Sequence, residues 1–460
     1  MRSQHPRDGG YFGTVLATVV LLGVCSGATE GLAAQSALLD KDGQAFPAAP
    51  VAGTGALARP VRDALASVVP ALRERRVPAE AVHAIGGSGD PRLLWYLHDL
   101  LRFVTRDAIP SVVEAFEELS GAALPASPLT VMGDRVLAWD LPAPPNYRLL
   151  KRDLFLLIEP RWAPFFDDDD SAIDWRYVGW GGVFIDDRPD ATSGQICPRG
   201  CIPALDQPAV TDAAGGSWYA DDDLVFGIVI GREARAYPKN IMEVHEMVND
   251  TLGGRRIAIP YCTLCLSAQA YFTDDVEGFR PLLRTSGLLS RSNKFMYDVT
   301  TFSAVDTFTG VAISGPLFDA AVTLGQTTVV TSTWVAWRAA HPDTTIIAED
   351  GGIGRSYQRD PLRGRDDAGP IFPVGDVDPR LGVHEVVLGV VDADGTPVAF
   401  PVGPARLALE AGEEVALGGV VLRPDSGGLR AFSDGAEIPA HEAFWFAWSQ
   451  FQPQTLLWER

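Results

Sequence analysis

The spacing of tryptophans in the C-terminal half constrains the fold more than any other feature. Trp334-x-x-Trp337 is followed by Pro342 and Thr344, and Trp445-x-x-Trp448 is followed at the same offsets by Pro453 and Thr455. Two aromatics at i and i+3, ahead of a proline-terminated turn, predict a helix that lays one aromatic face on a sheet. A second echo precedes each pair. Gly227-Ile228-Val229 leads to Ala236-Tyr237-Pro238, and Gly389-Val390-Val391 leads to Ala399-Phe400-Pro401. Strand-like runs separated by Gly, Asp and Thr turns fill the rest of this region. It reads as two related β-rich halves, the second shorter and beginning near residue 385.

The earlier chain has a different period. Asp90-Pro91 offers an N-cap and an N1 proline. Leu93, Leu94, Leu97, Leu100, Leu101 and Val104 then fall on one helical face, and Val112, Val113, Phe116 and Leu119 repeat the pattern up to Gly121. The expected fold class is therefore α+β, a small N-terminal helical domain followed by a β-rich domain built from two related halves. Residues 35–60, rich in Ala, Gly and Pro, read as a linker. Residues 61–190 read as the helical domain with an acidic connector, in which Asp167 to Asp170 form a solvated loop, and 191–460 as the β-rich domain. A length of 460 residues suits such a division.

The N-terminus reads as a leader, residues 1–34. Arg2 and Arg7 flank the apolar run Val15 to Val24, and small residues follow at Ser26-Gly27-Ala28. An extracytoplasmic protein, periplasmic or secreted, is expected. Lipid anchoring at Cys25 is the weaker alternative, because Val24 stands where a small residue is wanted. No later stretch reaches the length of a membrane span, so the mature chain is expected to lack a transmembrane domain. A net charge of −21 argues against nucleic acid as a partner, since phosphates need Lys and Arg. An unknown small molecule or protein is the partner expected.

Chemistry concentrates in one stretch, His245-Glu246-Met247-Val248-Asn249-Asp250, eleven further residues, then Cys262-Thr-Leu-Cys265. A helix is expected through Ile241 to Asp250, which would put His245 with Asn249, and Glu246 with Asp250, on shared faces. The second half has no counterpart of His245, Cys262 or Cys265. These residues are therefore an addition to one half, whereas Tyr237 and the tryptophans are scaffold. Three readings compete. The leading expectation is that His245, Cys262 and Cys265 ligate copper or zinc, in a metal-binding protein or a metalloenzyme. The C-x2-C pair could be a thiol–disulfide redox couple. Or it could be a plain disulfide in a non-catalytic β-rich binding scaffold. On the first reading Glu246, Asp250 and Asp298 supply acid, base or orienting groups. Asp298 could equally cap a turn, standing ahead of Thr300 and Thr301. Cys197 and Cys201 lie in a Pro- and Gly-rich loop and read first as a local disulfide or as a long-range bridge to Cys262 and Cys265, with a four-cysteine zinc site as the sharper alternative. The HExxH, G-x-S-x-G and Walker patterns do not occur.

The order AYP, HE-x-x-x-ND, YC-x-L-C, SGLL, M-x-D-x-x-T, W-x-x-W, HP-x-T over roughly residues 195–460 resembles the bacterial domain-of-unknown-function family DUF3179. The resemblance implies His245, Glu246, Asn249, Asp250, Cys262, Cys265, Ser286, Gly287, Met296, Asp298 and Thr300 as signature positions. It implies no reaction. The chain departs from the family pattern at Val299, where Arg is usual, and at Ser303-Ala304-Val305, where S-L-W is usual.

Overall fold

The computed structural model describes residues 37–460, except 126, 193–196, 198, 275, 277 and 366–368. The expected leader and Cys25 lie outside the described residues. The described helices and strands lie in the unit Leu38–Arg460. Among the described residues, no helix is long and apolar enough to cross a membrane.

Helices come first: Arg59–Arg73, Ala79–Gly86, Leu94–Leu100, Ile109–Ser120, Pro128–Trp139, Tyr147–Phe155 and Ala163–Asp167. Asp90 caps the turn ahead of Leu94–Leu100 by accepting the Arg92 N–H at 3.1 Å. Gly121 ends Ile109–Ser120 at φ 67°, the left-handed conformation a C-terminal glycine supplies. The predicted apolar face is buried, with Leu93, Leu94, Leu97, Leu100, Val112 and Phe116 at its centre. That core continues into Val178, Leu288, Phe295 and Tyr297 of a four-stranded sheet, Val178–Trp180, Leu283–Ser290, Asn293–Asp298 and Ala304–Asp306. Trp162 Nε1–H fastens the two parts by donating to the Ser286 carbonyl at 2.8 Å. The stretch expected to be a linker lies against the helices: Trp139 donates to the Pro47 carbonyl and Arg92 to that of Gly55.

Small sheets make up the remainder. Leu224–Ile230 and Glu233–Pro238 form a hairpin around Gly231 (φ 63°), and Val330–Thr333 and Thr345–Ile347 flank it, antiparallel and parallel. Val386–Val391 and Pro397–Pro401 form a second hairpin, with Ala440–Phe444 and Leu456–Leu457 flanking it in the same two senses. The helices Trp334–Ala340 and Trp445–Phe451 follow corresponding strands. Trp337 Nε1 donates to Thr344 Oγ1 at 2.9 Å, and Trp448 Nε1 to Thr455 Oγ1 at 2.9 Å. A Cβ on Gly227 would overlap the Trp337 ring, and one on Gly389 the Trp448 ring. The paired echoes of the sequence are thus a glycine under a tryptophan whose N–H is tied to a threonine.

One expected element is corrected. The helix ends at His245, and Met247–Leu252 is a strand. Glu246 takes φ 50° and turns the chain. Gly253 and Gly254, both at positive φ, then close a two-residue hairpin with Arg255–Cys262. A type I′ turn requires positive φ at both central residues, and a Gly-Gly pair supplies it without steric penalty. That hairpin fixes Met247–Leu252 as a strand, so the helical faces expected for His245 with Asn249 and for Glu246 with Asp250 do not exist.

Candidate functional site

The strand Arg255–Cys262 ends in a tight turn, Thr263–Cys265, and Leu266 at φ 52° returns the chain so that Ser267 pairs with Cys262. Both cysteines are buried and free, and their sulfurs lie 2.9 Å apart. Cys265 Sγ–H donates to the Ser292 carbonyl at 2.9 Å. Burial pushes the Cys265 thiol well above its ordinary range and the neighbouring Cys262 adds to this, while the Ser292 contact and the charge of Lys294 oppose it.

A cleft of about 240 Å³ opens on this turn. Cys262, Thr263, Glu246, Lys294 and Arg102 contribute to its wall, and Leu288 and Phe372 supply apolar surface. Cys265, with no exposed surface, stands behind Cys262. Glu246 is held on both sides: Thr263 Oγ1 donates to Oε1 at 3.0 Å and Lys294 Nζ to Oε2 at 2.8 Å. Lys294 also donates to the Glu246 carbonyl at 2.7 Å. Ser286 and Gly287 also line the cleft, at an irregularity in the strand register between Thr285 and Leu289. Gly287 has φ 81°, and a Cβ there would strike the Val183 carbonyl, so the close approach of the two backbones requires glycine.

Of the six residues singled out from the sequence, Glu246, Cys262 and Cys265 come together here. His245 points elsewhere. Its Nδ1 is 2.7 Å from the Pro203 carbonyl and its Nε2 2.7 Å from the Tyr357 hydroxyl. Both ring nitrogens are thus engaged away from the sulfurs. Asp250 accepts from Arg235 at 2.6 Å and from the Tyr237 hydroxyl at 2.9 Å. Asp298 caps a turn, accepting from the Leu282, Thr300 and Thr301 N–H groups and from Thr301 Oγ1. Asn249 bridges strands by donating to Asp206 at 2.9 Å and to the Leu283 carbonyl at 3.0 Å.

Cys197 and Cys201 are joined in a local disulfide. Asp186, Cys197 and Cys201 are the one group of three or more His, Cys, Asp or Glu side chains whose ligand atoms all lie within 4.8 Å of one another among the described residues, and its two sulfurs are already bonded. Lys294 and Arg102 escaped sequence reasoning. Lys294 carried one signal, a lysine in the otherwise mostly apolar run Lys294-Phe-Met-Tyr. Arg102, at the end of a helix far away in the chain, carried none.

Burial pulls the His245 pKa down to about 4, outweighing the Pro203 carbonyl, which favours the charged ring. A histidine held neutral adds stability that is complete above its unfolded pKa of about 6.5 and is lost as pH falls through the folded value. The unfolding free energy of the wild type relative to His245→Gln is expected to fall by about 3 kcal/mol between about pH 7 and pH 4 and to be flat above. A difference that stays constant over that interval in denaturant titrations contradicts the buried neutral ring.

The family model described as protein of unknown function DUF3179 matches residues 199–432. No curated protein and no solved structure matches the chain. That stretch holds the C-x2-C turn, Glu246, Lys294 and the hairpins at 224–238 and 386–401, and by it the chain belongs to the DUF3179 family.

Proposed function

We propose that Cys262 and Cys265 are a redox-active dithiol that exchanges with a disulfide entering the cleft. The observation that carries this reading is the arrangement of the two sulfurs: one at the cleft wall, the other behind it, 2.9 Å apart. Two thiolates on one tetrahedral zinc would stand roughly 3.8 Å apart, given Zn–S bonds of about 2.3 Å. A bonded pair would stand about 2.05 Å apart. The two thiols are free and adjacent, so a small movement of either sulfur closes the bond.

In the proposed exchange, Cys262 as thiolate attacks one sulfur of the entering disulfide. Its electron pair forms the mixed disulfide, and the other substrate sulfur leaves as a thiolate and is protonated. Cys265 then gives up its proton and attacks Cys262 Sγ, closing the Cys262–Cys265 disulfide and releasing the second substrate thiol. One disulfide is reduced, the protein dithiol is oxidised, and two protons pass to the products. Run in reverse, the same steps oxidise a dithiol. The leader expected at the N-terminus would put this chemistry where disulfides persist.

The copper or zinc reading asks more of the chain. His245 would have to release both the Pro203 carbonyl and the Tyr357 hydroxyl before joining the sulfurs.

Cysteine variants separate the two. With hydroxyethyl disulfide, Cys265→Ser is expected to accumulate a mixed disulfide at Cys262, and Cys262→Ser is expected to form none. If neither variant traps the probe, the exchange is refuted. Copper or zinc near one equivalent in untagged protein, lost in the Cys262→Ser/Cys265→Ser double variant, would replace it with the metal site.

A further inference from the structure

The wall of the cleft that holds Cys262 carries an unbalanced charge. Lys294 and Glu246 neutralise each other. Arg102 does not fit that pairing: its guanidinium has no hydrogen-bond acceptor and no ion-pair partner among the described residues. The nearest acid in sequence, Asp99, is taken by Lys151 at 3.0 Å and by the Tyr147 hydroxyl at 2.6 Å. Arg102 is half-buried, and burial lowers its pKa although Asp99 opposes this, as expected for a cation drawn partly out of water without an adjacent acceptor. An arginine in such a place is ordinarily matched by a carboxylate or phosphate, because its planar fork presents paired donors to two oxygens. The chain as a whole carries a charge of −21, so a lone cation in a cleft stands against the general field.

We propose that this cleft selects the disulfide of a small, carboxylate-bearing thiol, with Arg102 holding the carboxylate while the sulfur faces Cys262. The proposal rests on the dithiol reading. A volume of about 240 Å³ accommodates one half of such a molecule, and Leu288, Leu289, Ile371 and Phe372 offer apolar contact to its carbon chain. The unpaired guanidinium supplies recognition, and the dithiol supplies chemistry.

Alkylation of Cys262 tests the charge separately from the exchange. Iodoacetate and iodoacetamide are nearly the same size and react with the same thiolate, so any effect of a variant on the thiol pKa cancels in the ratio of their rates. In the reduced full-length protein, Arg102→Gln is expected to lower the iodoacetate to iodoacetamide ratio at Cys262 by about tenfold, the order expected for one partly screened charge. Arg102→Lys should retain most of the ratio, and added salt should lower it in the wild type. A ratio unchanged in Arg102→Gln overturns the carboxylate subsite, as does a native protein in which neither reagent reaches Cys262. A ratio that falls while Cys265→Ser traps no mixed disulfide keeps the anion subsite and removes the disulfide chemistry. A successful trap with an unchanged ratio does the reverse.

Discussion

Replacing Arg284 with Met is expected to destabilise the protein by about 3–5 kcal/mol, the usual consequence of removing one partner from a buried ion pair. Arg284 has no exposed surface. Its two terminal nitrogens donate to Asp206 at 2.9 and 2.6 Å, and its Nε donates to the Arg188 carbonyl at 3.0 Å. Asp206 also accepts from Asn249 and from the Ala191 N–H, so one carboxylate joins three separate segments of chain. Without Arg284, that carboxylate stays buried with its main counter-charge gone. Asp206→Leu combined with Arg284→Met should recover part of the loss, because two charges removed together leave neither one buried without its partner. Urea denaturation of the two single variants and the double variant measures this. A loss below about 1 kcal/mol in Arg284→Met, or strictly additive losses, would show that the pair does not anchor these segments. The anchor bears on the site because Arg284 lies in the strand Leu283–Ser290, which continues into Ser286 and Gly287 at the cleft and leads to Ser292 beside the sulfurs.

Such an anchor explains what the sequence could and could not reveal. His245 to Cys265 stood out by density of reactive residues, and the second half's lack of them marked the stretch as an addition. Spacing along the chain then misled at one point. Positions four apart share a face only within one continuous element, and Glu246 at φ 50° breaks the chain's course between His245 and Asn249. The signal was present in Gly253-Gly254, whose hairpin requires a strand before it. Asn249 and Asp250 consequently serve as struts, to Asp206 and to Arg235 with Tyr237. Dense polar conjunctions in a strand pair can mean fastening as readily as catalysis. Lys294 and Arg102 were invisible for a different reason: they reach the cleft through sheet pairing and helix packing between segments far apart in sequence, and no local pattern encodes that. The aromatic echo was legible because it is local. Trp337 and Thr344, like Trp448 and Thr455, stand at the same short offset and form the same hydrogen bond, although the glycines beneath the rings lie at different distances along the chain.

That arrangement allows an internal comparison with a large effect. Trp337→Ala and Trp448→Ala each remove a fully buried indole and its hydrogen bond to Thr344 or Thr455, and each is expected to destabilise by about 3–5 kcal/mol. Gly227→Ala and Gly389→Ala should be damaging in parallel, since the new methyl falls on the corresponding ring. The two tryptophans differ in their surroundings. Trp337 packs with Tyr219, Val225, Val330 and Trp334. Trp448 packs in the cluster that holds Cys262, Cys265, Phe308 and Phe446. Equal losses of stability should therefore have unequal effects on the thiols. Trp448→Ala opens a cavity in the apolar packing behind the dithiol and should speed the alkylation of Cys265 by iodoacetamide under native conditions. Trp337→Ala should leave that rate near the wild-type value. Equal acceleration in both variants would mean that the thiols react through global unfolding, and that the core of the second half does not shield them. Acceleration confined to Trp448→Ala would show that the half without cysteines supplies the packing that keeps the resolving sulfur buried until its partner has reacted.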